Sequence, residues 1–518
     1  MHGVKRRTLL YLLPLLSGAA LIPAFPPLEQ GWLAWFALMP LLYFCLHAGP
    51  RQALVGAFLF GLPLHLYLNL YLSGVLITYL SRGLAILAMI LLLALLCCFS
   101  ALFTVPASCL RRLQNPLLLA AAIPALWVLA EYVRSLGFIA YNVGYLGYTQ
   151  WRYPLILNLA AAAGYWGLSF VMVFFQSLLL LALAGRLRGK KLAAAAAIFL
   201  ALFCGGILLP GLALVESEET PLLTALVQGC GTPEEKGSAA GREKILQRYL
   251  ELTRAAVEKE PRVELILWPE TVVNLKMKEG APLHRREMIR LAEELDVAIL
   301  YGALLDAGEA LYNSLILLVP GEAESQLYHK RRLVPIAEYS PLEGLLNKML
   351  DLDIILGSYT PGEEITIFNY RGLPLAGVIC FESYFGDYTR LFARRGGRHL
   401  FVATNDAWFG RSIGLEQHAQ VAALRAAEMG IGVTQVANSG ISISFDCRGR
   451  ELMRTGKEEQ GFYLLPLDLA HRHTLYRWAG DFIPPLCLLL LAGCSLQAVR
   501  GARSPLQLPG ACRRRQSR

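Results

Sequence analysis

Long apolar stretches fill the first part of the chain and recur near its end, while the middle changes to a shorter rhythm. Apolar runs cover roughly 8–24, 31–48, 52–79, 84–106, 117–136, 152–185, 191–214 and 480–499. Each approaches the ~20 residues that a helix needs to cross a hydrocarbon core. They predict about eight membrane spans. The first follows Lys5, Arg6 and Arg7 and has the outline of a signal peptide, but further spans follow at once, so a retained first helix is expected.

Between about Val215 and Arg477 the pattern becomes short β-rich runs separated by polar, helix-period segments. The runs Leu223–Gln228, Glu264–Trp268, Val297–Tyr301, Ser314–Val319, Leu375–Ile379, His399–Ala403, Gly432–Ala437 and Ile441–Phe445 are predicted strands. Arg242–Lys259, Leu283–Leu295, Asp387–Arg395 and Gln417–Glu428 are predicted helices, and Gly229–Gly241 reads as an irregular loop. Such alternation predicts a layered α/β domain. The expected division is a seven-helix membrane domain over 1–214, a catalytic domain over 215–477, and a last span with a basic tail over 478–518.

Composition supports this division. The chain has 518 residues, of which 55% are hydrophobic and only 17% charged, too apolar for one soluble globule. Between Glu216 and Ala470 there are 27 Lys and Arg against 36 Asp and Glu, so the net charge of +9 comes from the flanking segments. That distribution argues against a nucleic-acid partner and for basic loops beside a lipid bilayer. Lys5–Arg7, Arg51, Arg111 with Arg112, the cluster Arg186, Arg188, Lys190 and Lys191, and the tail Arg500–Arg518 fall on alternate connections. Those connections are expected in the cytoplasm, which puts the acidic middle domain on the opposite face. In a two-membrane bacterium the protein would lie in the inner membrane with that domain in the periplasm.

Most of the 11 cysteines, such as Cys45, Cys97, Cys98, Cys204 and Cys487, lie in apolar stretches as small hydrophobes. The middle domain holds Cys230, Cys380 and Cys447, an odd number with no metal-ligand spacing. Neither a metal nor an organic cofactor is expected. The connection Glu131–Trp151, rich in Gly, Tyr and Asn, reads either as an interfacial aromatic belt or as one lip of a lipid-entry cleft.

Candidate chemistry gathers around Cys380, which follows the apolar run Leu375–Ile379 and precedes Glu382 by two residues. Alone, Cys380 serves equally as a small core residue. Glu270 follows a strand in Trp268-Pro269-Glu270-Thr271, where it is either a surface carboxylate or a general base in a site dry enough to raise its pKa. The run His329-Lys330-Arg331-Arg332 is either a solvated face or the source of one fixed cation that lowers a thiol pKa and holds an oxyanion. Glu338 would order that cation or act as a second acid. Thr404-Asn405-Asp406 reads as a turn after a strand, and His418 as a hydrogen-bonded structural histidine.

Glu after a strand, Lys in the middle and Cys on a later strand, in that order, resemble the nitrilase superfamily, and the resemblance implies a Glu-Lys-Cys triad on an αββα sandwich. Trp268-Pro269-Glu270-Thr271, His329-Lys330-(x2)-Leu333-Val334-Pro335-(x2)-Glu338-Tyr339-(x)-Pro341, Ile379-Cys380-(x)-Glu382 and Thr404-Asn405-Asp406-Ala407-Trp408-Phe409-Gly410 lie between a seventh and an eighth span. Together they resemble the apolipoprotein N-acyltransferase family over nearly the whole chain. The resemblance implies Glu270 as base, Lys330 as oxyanion lysine and Cys380 as nucleophile, with Glu338 and Glu382 as further acidic site residues. It implies a phospholipid acyl donor and a diacylated apolipoprotein acceptor. The chain departs from the family at Phe381, where Tyr is usual, at Ile336-Ala337, at Gly229-Cys230 and at Lys236-Gly237, where a Trp is absent. Two other readings are a membrane-tethered nitrilase-type amidase and a membrane scaffold or transporter with an inactive domain.

Overall fold

The structure, a computed structural model, describes residues 9–137, 140–216, 221–275, 281–308, 310–322, 325–335, 337–339, 359–467 and 469–503. The basic run Lys5–Arg7, the end of the basic tail, Ile336 and Pro341 lie outside the described residues.

Five helices are long and apolar enough to cross a membrane: Pro50–Asn69, Arg82–Arg112, Pro116–Arg134, Pro154–Leu183 and Gly189–Gly211. Three shorter apolar segments, Leu12–Ala24, Gly31–His47 and Ile483–Leu496, bring the described apolar segments to the eight expected. The long stretch near 52–79 is broken into helices Pro50–Asn69 and Leu72–Tyr79. Burial ranks the helices: the apolar window of Pro154–Leu183 is 72% buried and that of Gly189–Gly211 only 6%. The first is the centre of the bundle, and the second offers its leucines outward, as a lipid-facing helix must.

The α/β domain is a sandwich of two sheets. Its strands are β1 (Leu222–Gln228), β2 (Leu265–Leu267), β3 (Val273–Leu275), β4 (Ala298–Asp306), β5 (Leu311–Leu318), β6 (Gln326–His329), β7 (Ile367–Tyr370), β8 (Leu373–Ile379), β9 (His399–Thr404), β10 (Gly432–Ala437), β11 (Ile443–Phe445), β12 (Glu451–Arg454) and β13 (Gly461–Leu467). The first sheet runs β13-β1-β2-β4-β5-β6 with β3 beside β4, and the second β12-β11-β10-β9-β8-β7. Strand periodicity divides the side chains between layers. On β1, Leu222 and Leu226 join a core shared with Val378 and Val402 of the second sheet, while Ala225 and Val227 pack with Ile245, Tyr249 and Leu250 of helix Ala239–Lys259. Helices Gly386–Arg394 and Gly414–Met429 cover the other sheet. The chain is therefore a multi-pass helical membrane protein carrying an αββα sandwich.

All eight predicted strands and four predicted helices are present within a few residues. The segment 229–241 is more ordered than an irregular loop: Pro233–Lys236 forms a helical turn, in which the Thr232 hydroxyl accepts from Glu235 N and the Glu235 carboxylate from Thr232 N. This reciprocal cap satisfies two donors that a short turn cannot satisfy itself.

Parallel strands set the location of the site. β1, β2 and β4 are mutually parallel, as are β8, β9 and β10. Two antiparallel steps, β4 to β5 and β5 to β6, return β6 to the direction of β4. The carboxyl ends of β2, β6, β8 and β9 therefore share one rim, the end at which open α/β sheets bind ligands.

The α/β domain meets the membrane bundle at a break in the bundle's central helix. Ala163 (φ −140°, ψ 16°) and Gly164 (φ 64°, ψ 179°) leave helical geometry within Pro154–Leu183. The freed Tyr165 N–H donates to Glu428 Oε1 at 2.8 Å, and Glu428 in turn pairs with Arg425 at 3.0 Å, both fully buried. A donor freed within a helix long and apolar enough to cross a membrane is thus satisfied by the α/β domain. The Arg472 guanidinium adds bonds to Asn158 Oδ1 at 3.0 Å and Pro210 O at 2.8 Å.

Gly164 is needed at the break, because a Cβ there would lie 2.5 Å from the Tyr476 ring on a backbone that L residues rarely adopt. Gly164→Ala is expected to destabilise the folded protein by about 1–3 kcal/mol. Gly205→Ala, in a helix with nothing within 4 Å of the new Cβ, is expected to be neutral or mildly stabilising. Thermal unfolding of the two variants in detergent checks the contrast.

Candidate active site

Glu270 is delivered by the end of β2. Trp268 N still bonds to Leu300 O at 2.9 Å, Pro269 ends the ladder, and the turn doubles back over β4. Gly302 of β4 permits the approach: a Cβ there would lie 2.4 Å from Pro269 O and 2.6 Å from Glu270 Cα. Glu270 is buried, with 6% of its surface exposed. Its Oε1 accepts from Asn313 Nδ2 at 2.7 Å and Lys330 Nζ at 3.4 Å, and its Oε2 from Asn405 N at 2.9 Å.

Lys330 is the first residue beyond β6, where its N–H donates to Asn313 O at 2.8 Å. Its ammonium lies 2.7 Å from Glu338 Oε1 and 3.4 Å from Glu270 Oε1 with 1% of the side chain exposed. Val334 N holds the other oxygen of Glu338 at 2.8 Å. Two carboxylates thus share one ammonium, and Asn313 Nδ2 bridges them, reaching Glu338 Oε1 at 3.3 Å.

Cys380 leaves β8 with φ +51°, in the left-handed region, and begins a 3₁₀ turn to Tyr384. A non-glycine residue held there marks a strained turn that its surroundings must enforce. Glu382, fully buried, is one of the enforcers. Its carboxylate accepts from Ile379 N (2.8 Å), Arg331 N (2.8 Å), Arg332 N (3.1 Å) and the Tyr328 hydroxyl (2.7 Å). It therefore staples the nucleophile turn to the segment after Lys330. His418 and Asp406 lie on the other side: Asp406 Oδ1 accepts from His418 Nδ1 at 2.8 Å, and His418 Nε2 lies 3.3 Å from Cys380 O.

The electrostatics correct two expectations. Burial pushes the Glu270 carboxyl up, but the Lys330 ammonium, the Asn313 amide, Lys236 and the Asn405 N–H together hold it below the ordinary carboxylate value. Dryness alone predicted a raised base; the charges and donors imported from four other segments reverse the sign. Burial, and then the Glu270 charge, push the Cys380 thiol well above its ordinary value, and Lys330 only partly opposes them. The resting set is thus a carboxylate, an ammonium and a neutral thiol. Burial disfavours the Lys330 ammonium, yet Glu338, Glu270 and Cys380 raise its pKa well above the usual lysine value, so it stays charged.

A cleft of about 1470 Å³, open to solvent, adjoins the nucleophile turn. Phe381 and Phe385 line one side, Tyr132 and Ala140 of the membrane bundle the other, and Arg331 and Asp387 its rim. In the connection Glu131–Trp151, Ala140 and Asn142 line this cleft, and Asn142 Nδ2 donates to Tyr384 O at 3.3 Å. Tyr145, Tyr148 and Trp151 of the same segment are buried. The segment is a lip of the cleft rather than an exposed aromatic belt.

Sequence profiles match the chain in two places, one described as "Apolipoprotein N-acyltransferase N-terminal domain" over residues 17–178 and one as "Carbon-nitrogen hydrolase" over 223–475. Among proteins of similar sequence, the apolipoprotein N-acyltransferase of Pseudomonas putida is 30% identical over 95% of this chain and 97% of its own length. That of Azotobacter vinelandii is 31% identical over 95% and 96%. The chain belongs to the apolipoprotein N-acyltransferase family. The corresponding protein of Geobacter metallireducens is 29% identical over 95% of both chains.

The five residues singled out from the sequence converge: Glu270, Lys330 and Glu338 in one charged cluster, Cys380 beside it, Glu382 beneath. Asn313 and Tyr328 were not singled out, and Asn405 only as part of a turn. The only signal for Asn313 is an amide in an otherwise apolar strand, where a buried polar group must find partners. Cys380, Asp406 and His418 also offer one ligand atom each within 4.8 Å of one another, a set that suits a soft divalent ion. Such an ion would take the thiol that acyl transfer requires.

Glu270→Gln is expected to have opposite effects on two reactions of Cys380. Removing the negative charge that raises the thiol pKa moves the midpoint of iodoacetamide alkylation to lower pH. Removing the proton acceptor slows acyl-adduct formation by about 100-fold or more. Alkylation rates across pH, beside mass spectrometry of the acyl adduct, check the pair; an upward alkylation midpoint contradicts the assignment.

Proposed function

We propose that the chain moves a fatty acyl group from a phospholipid to the N-terminal amine of an S-diacylglyceryl-cysteine apolipoprotein, through a thioester on Cys380. The observation that carries this reading is the buried Glu270–Lys330 pair beside a strained cysteine, at a cleft walled by the membrane helix Pro116–Arg134. Both substrates are lipids, and a site at the end of membrane helices meets them already confined and oriented.

In the first half-reaction Glu270 takes the Cys380 proton, and the thiolate attacks the ester carbonyl. A carbon–sulfur bond forms, and on collapse the carbon–oxygen bond breaks. Glu270 returns the proton to the departing lysophospholipid hydroxyl. The Lys330 ammonium has three N–H donors, of which Glu338 and Glu270 occupy two; among the described residues the third meets no other partner, and it holds the carbonyl oxygen as it becomes an oxyanion. In the second half-reaction the lipoprotein α-amine attacks the thioester. A carbon–nitrogen bond forms, the carbon–sulfur bond breaks, and Glu270 carries the amine proton to the sulfur. Glu338 fixes the ammonium, and Glu382 fixes the turn without touching the reacting atoms.

The protein is a membrane protein, and we infer from the alternation of basic connections that residues 215–477 form an extracytoplasmic catalytic unit. In a two-membrane bacterium that unit faces the periplasm from the inner membrane. Residues 1–214 and 478–518 form the membrane-embedded parts on this reading.

Intact-protein mass spectrometry after incubation with phospholipid alone tests the reaction. Wild type is expected to gain one fatty-acyl mass on Cys380, to lose it when a diacylated lipopeptide is added, and Cys380→Ala to gain none. Loss of the adduct to water at the same rate without lipopeptide would identify a hydrolase instead.

A further inference from the structure

Outside the charged cluster, one buried ion pair touches the nucleophile and has no part in the half-reactions above. We propose that His418 and Asp406 form a positioning pair, in which Asp406 anchors the imidazole and the imidazole holds the Cys380 carbonyl, fixing the left-handed turn that aims the thiol at Glu270. The inference rests on the acyl-transfer reading of the site.

The geometry carries it in three steps. His418 sits on helix Gly414–Met429, 2% exposed, and its ring stacks on Tyr384 of the nucleophile turn at 5.3 Å between centroids and 9° between planes. Its Nε2 lies 3.3 Å from Cys380 O and 3.2 Å from Ser383 Oγ, so one nitrogen meets both the first and the fourth residue of that turn. Its Nδ1 lies 2.8 Å from Asp406 Oδ1, and Asp406, fully buried, also accepts from the Thr404 hydroxyl at 2.8 Å.

Asp406 then joins the nucleophile to its base. It follows Asn405, whose N–H holds Glu270 Oε2 at 2.9 Å. A continuous path runs from the Cys380 carbonyl through His418, Asp406 and Asn405 to Glu270, independent of Lys330. Both ring nitrogens are committed, one to a carboxylate and the other to the turn, so His418 is not free to serve as the thiol's base. Burial lowers its pKa, but Asp406 and the Cys380 carbonyl outweigh that and raise it above the ordinary histidine value, consistent with a ring that donates from both nitrogens. A displacement on the ångström scale is enough to cost about 100-fold in rate.

The test uses the full chain in detergent with phospholipid and a diacylated lipopeptide. His418→Leu is expected to lower kcat about 100-fold with KM for the lipopeptide unchanged. His418→Gln, which keeps an N–H toward Cys380 O, is expected to recover most of that loss. Asp406→Asn falls between them; each variant breaks a buried ion pair and lowers the unfolding temperature, but all three stay folded at the assay temperature with a thiol that iodoacetamide alkylates. Wild-type kcat in His418→Leu overturns the proposal. So does an equal loss in the Leu and Gln variants that follows unfolding at the assay temperature, or activity removed by a chelator and restored by zinc, which would make the cluster a metal site. If wild type forms no acyl adduct, the acyl-transfer reading fails first; the wild-type adduct and the variant kinetics separate the two failures.

Discussion

One buried ammonium between two carboxylates governs this site. Lys330 has almost no contact with water, and an ammonium so placed is tolerated only where its charge and its donors are met. Glu270 and Glu338 meet them, but two carboxylates around one cation leave a surplus negative charge, which must be stabilised in turn. The Asn313 amide, the Asn405 N–H and the Val334 N–H supply that stabilisation, and they come from β5, from the end of β9 and from the segment after β6. Removing one partner of such a set costs about 3–5 kcal/mol, because the remaining charge is stranded. The two sheets therefore have to bring their strand ends to one rim within tenths of an ångström. The parallel runs of β1, β2 and β4 and of β8, β9 and β10 do this.

The surplus negative charge also explains the state of the thiol. In many cysteine enzymes a neighbouring cation makes the thiolate the resting form. Here burial and Glu270 outweigh Lys330, so Cys380 rests as a thiol and the carboxylate beside it stays ionised. A neutral thiol is a poorer target for adventitious oxidants and electrophiles than a thiolate. On the proposed mechanism, proton transfer to Glu270 becomes favourable when an ester carbonyl takes the remaining Lys330 donor and negative charge moves from sulfur toward that oxygen, which couples activation to substrate.

Much of this was legible in the sequence. Apolar runs located the eight apolar segments and eight of the strands, since both signals depend on local burial alone. The short strands β3, β6, β7, β12 and β13 gave no comparable pattern; Glu451–Arg454, for example, is half exposed and is held by its neighbour β11. Thr232 and Glu235 did spell a capping pair at the expected spacing, and the Gly-rich surroundings masked it. Glu270 and Cys380 were identifiable because each follows an apolar run, and Lys330 through the resemblance of the motif around it. The sign of the Glu270 shift was not, because the groups that set it lie between 34 residues upstream, at Lys236, and 135 downstream, at Asn405. His418 was read as structural from its residue type, and only the fold places it against the turn that carries Cys380.

The break at Gly164 ties the chemistry to the membrane. A helix that stayed regular there would satisfy its own backbone and present no donor to Glu428. Because it breaks, Tyr165 N–H requires a partner, and the partner comes from helix Gly414–Met429, the helix that also carries His418. Its register against the bundle is fixed further by Gln417 Nε2, which donates to Leu68 O at 3.2 Å, and by Arg425, whose guanidinium lies over the Tyr165 ring at 5.4 Å. One helix of the α/β domain thus bonds the bundle on one side and the nucleophile turn on the other. A donor ester entering from the lipid side meets a thiol whose position is referenced to the helices that define that side. A soluble catalytic domain on a flexible tether would have to establish that alignment afresh at each encounter.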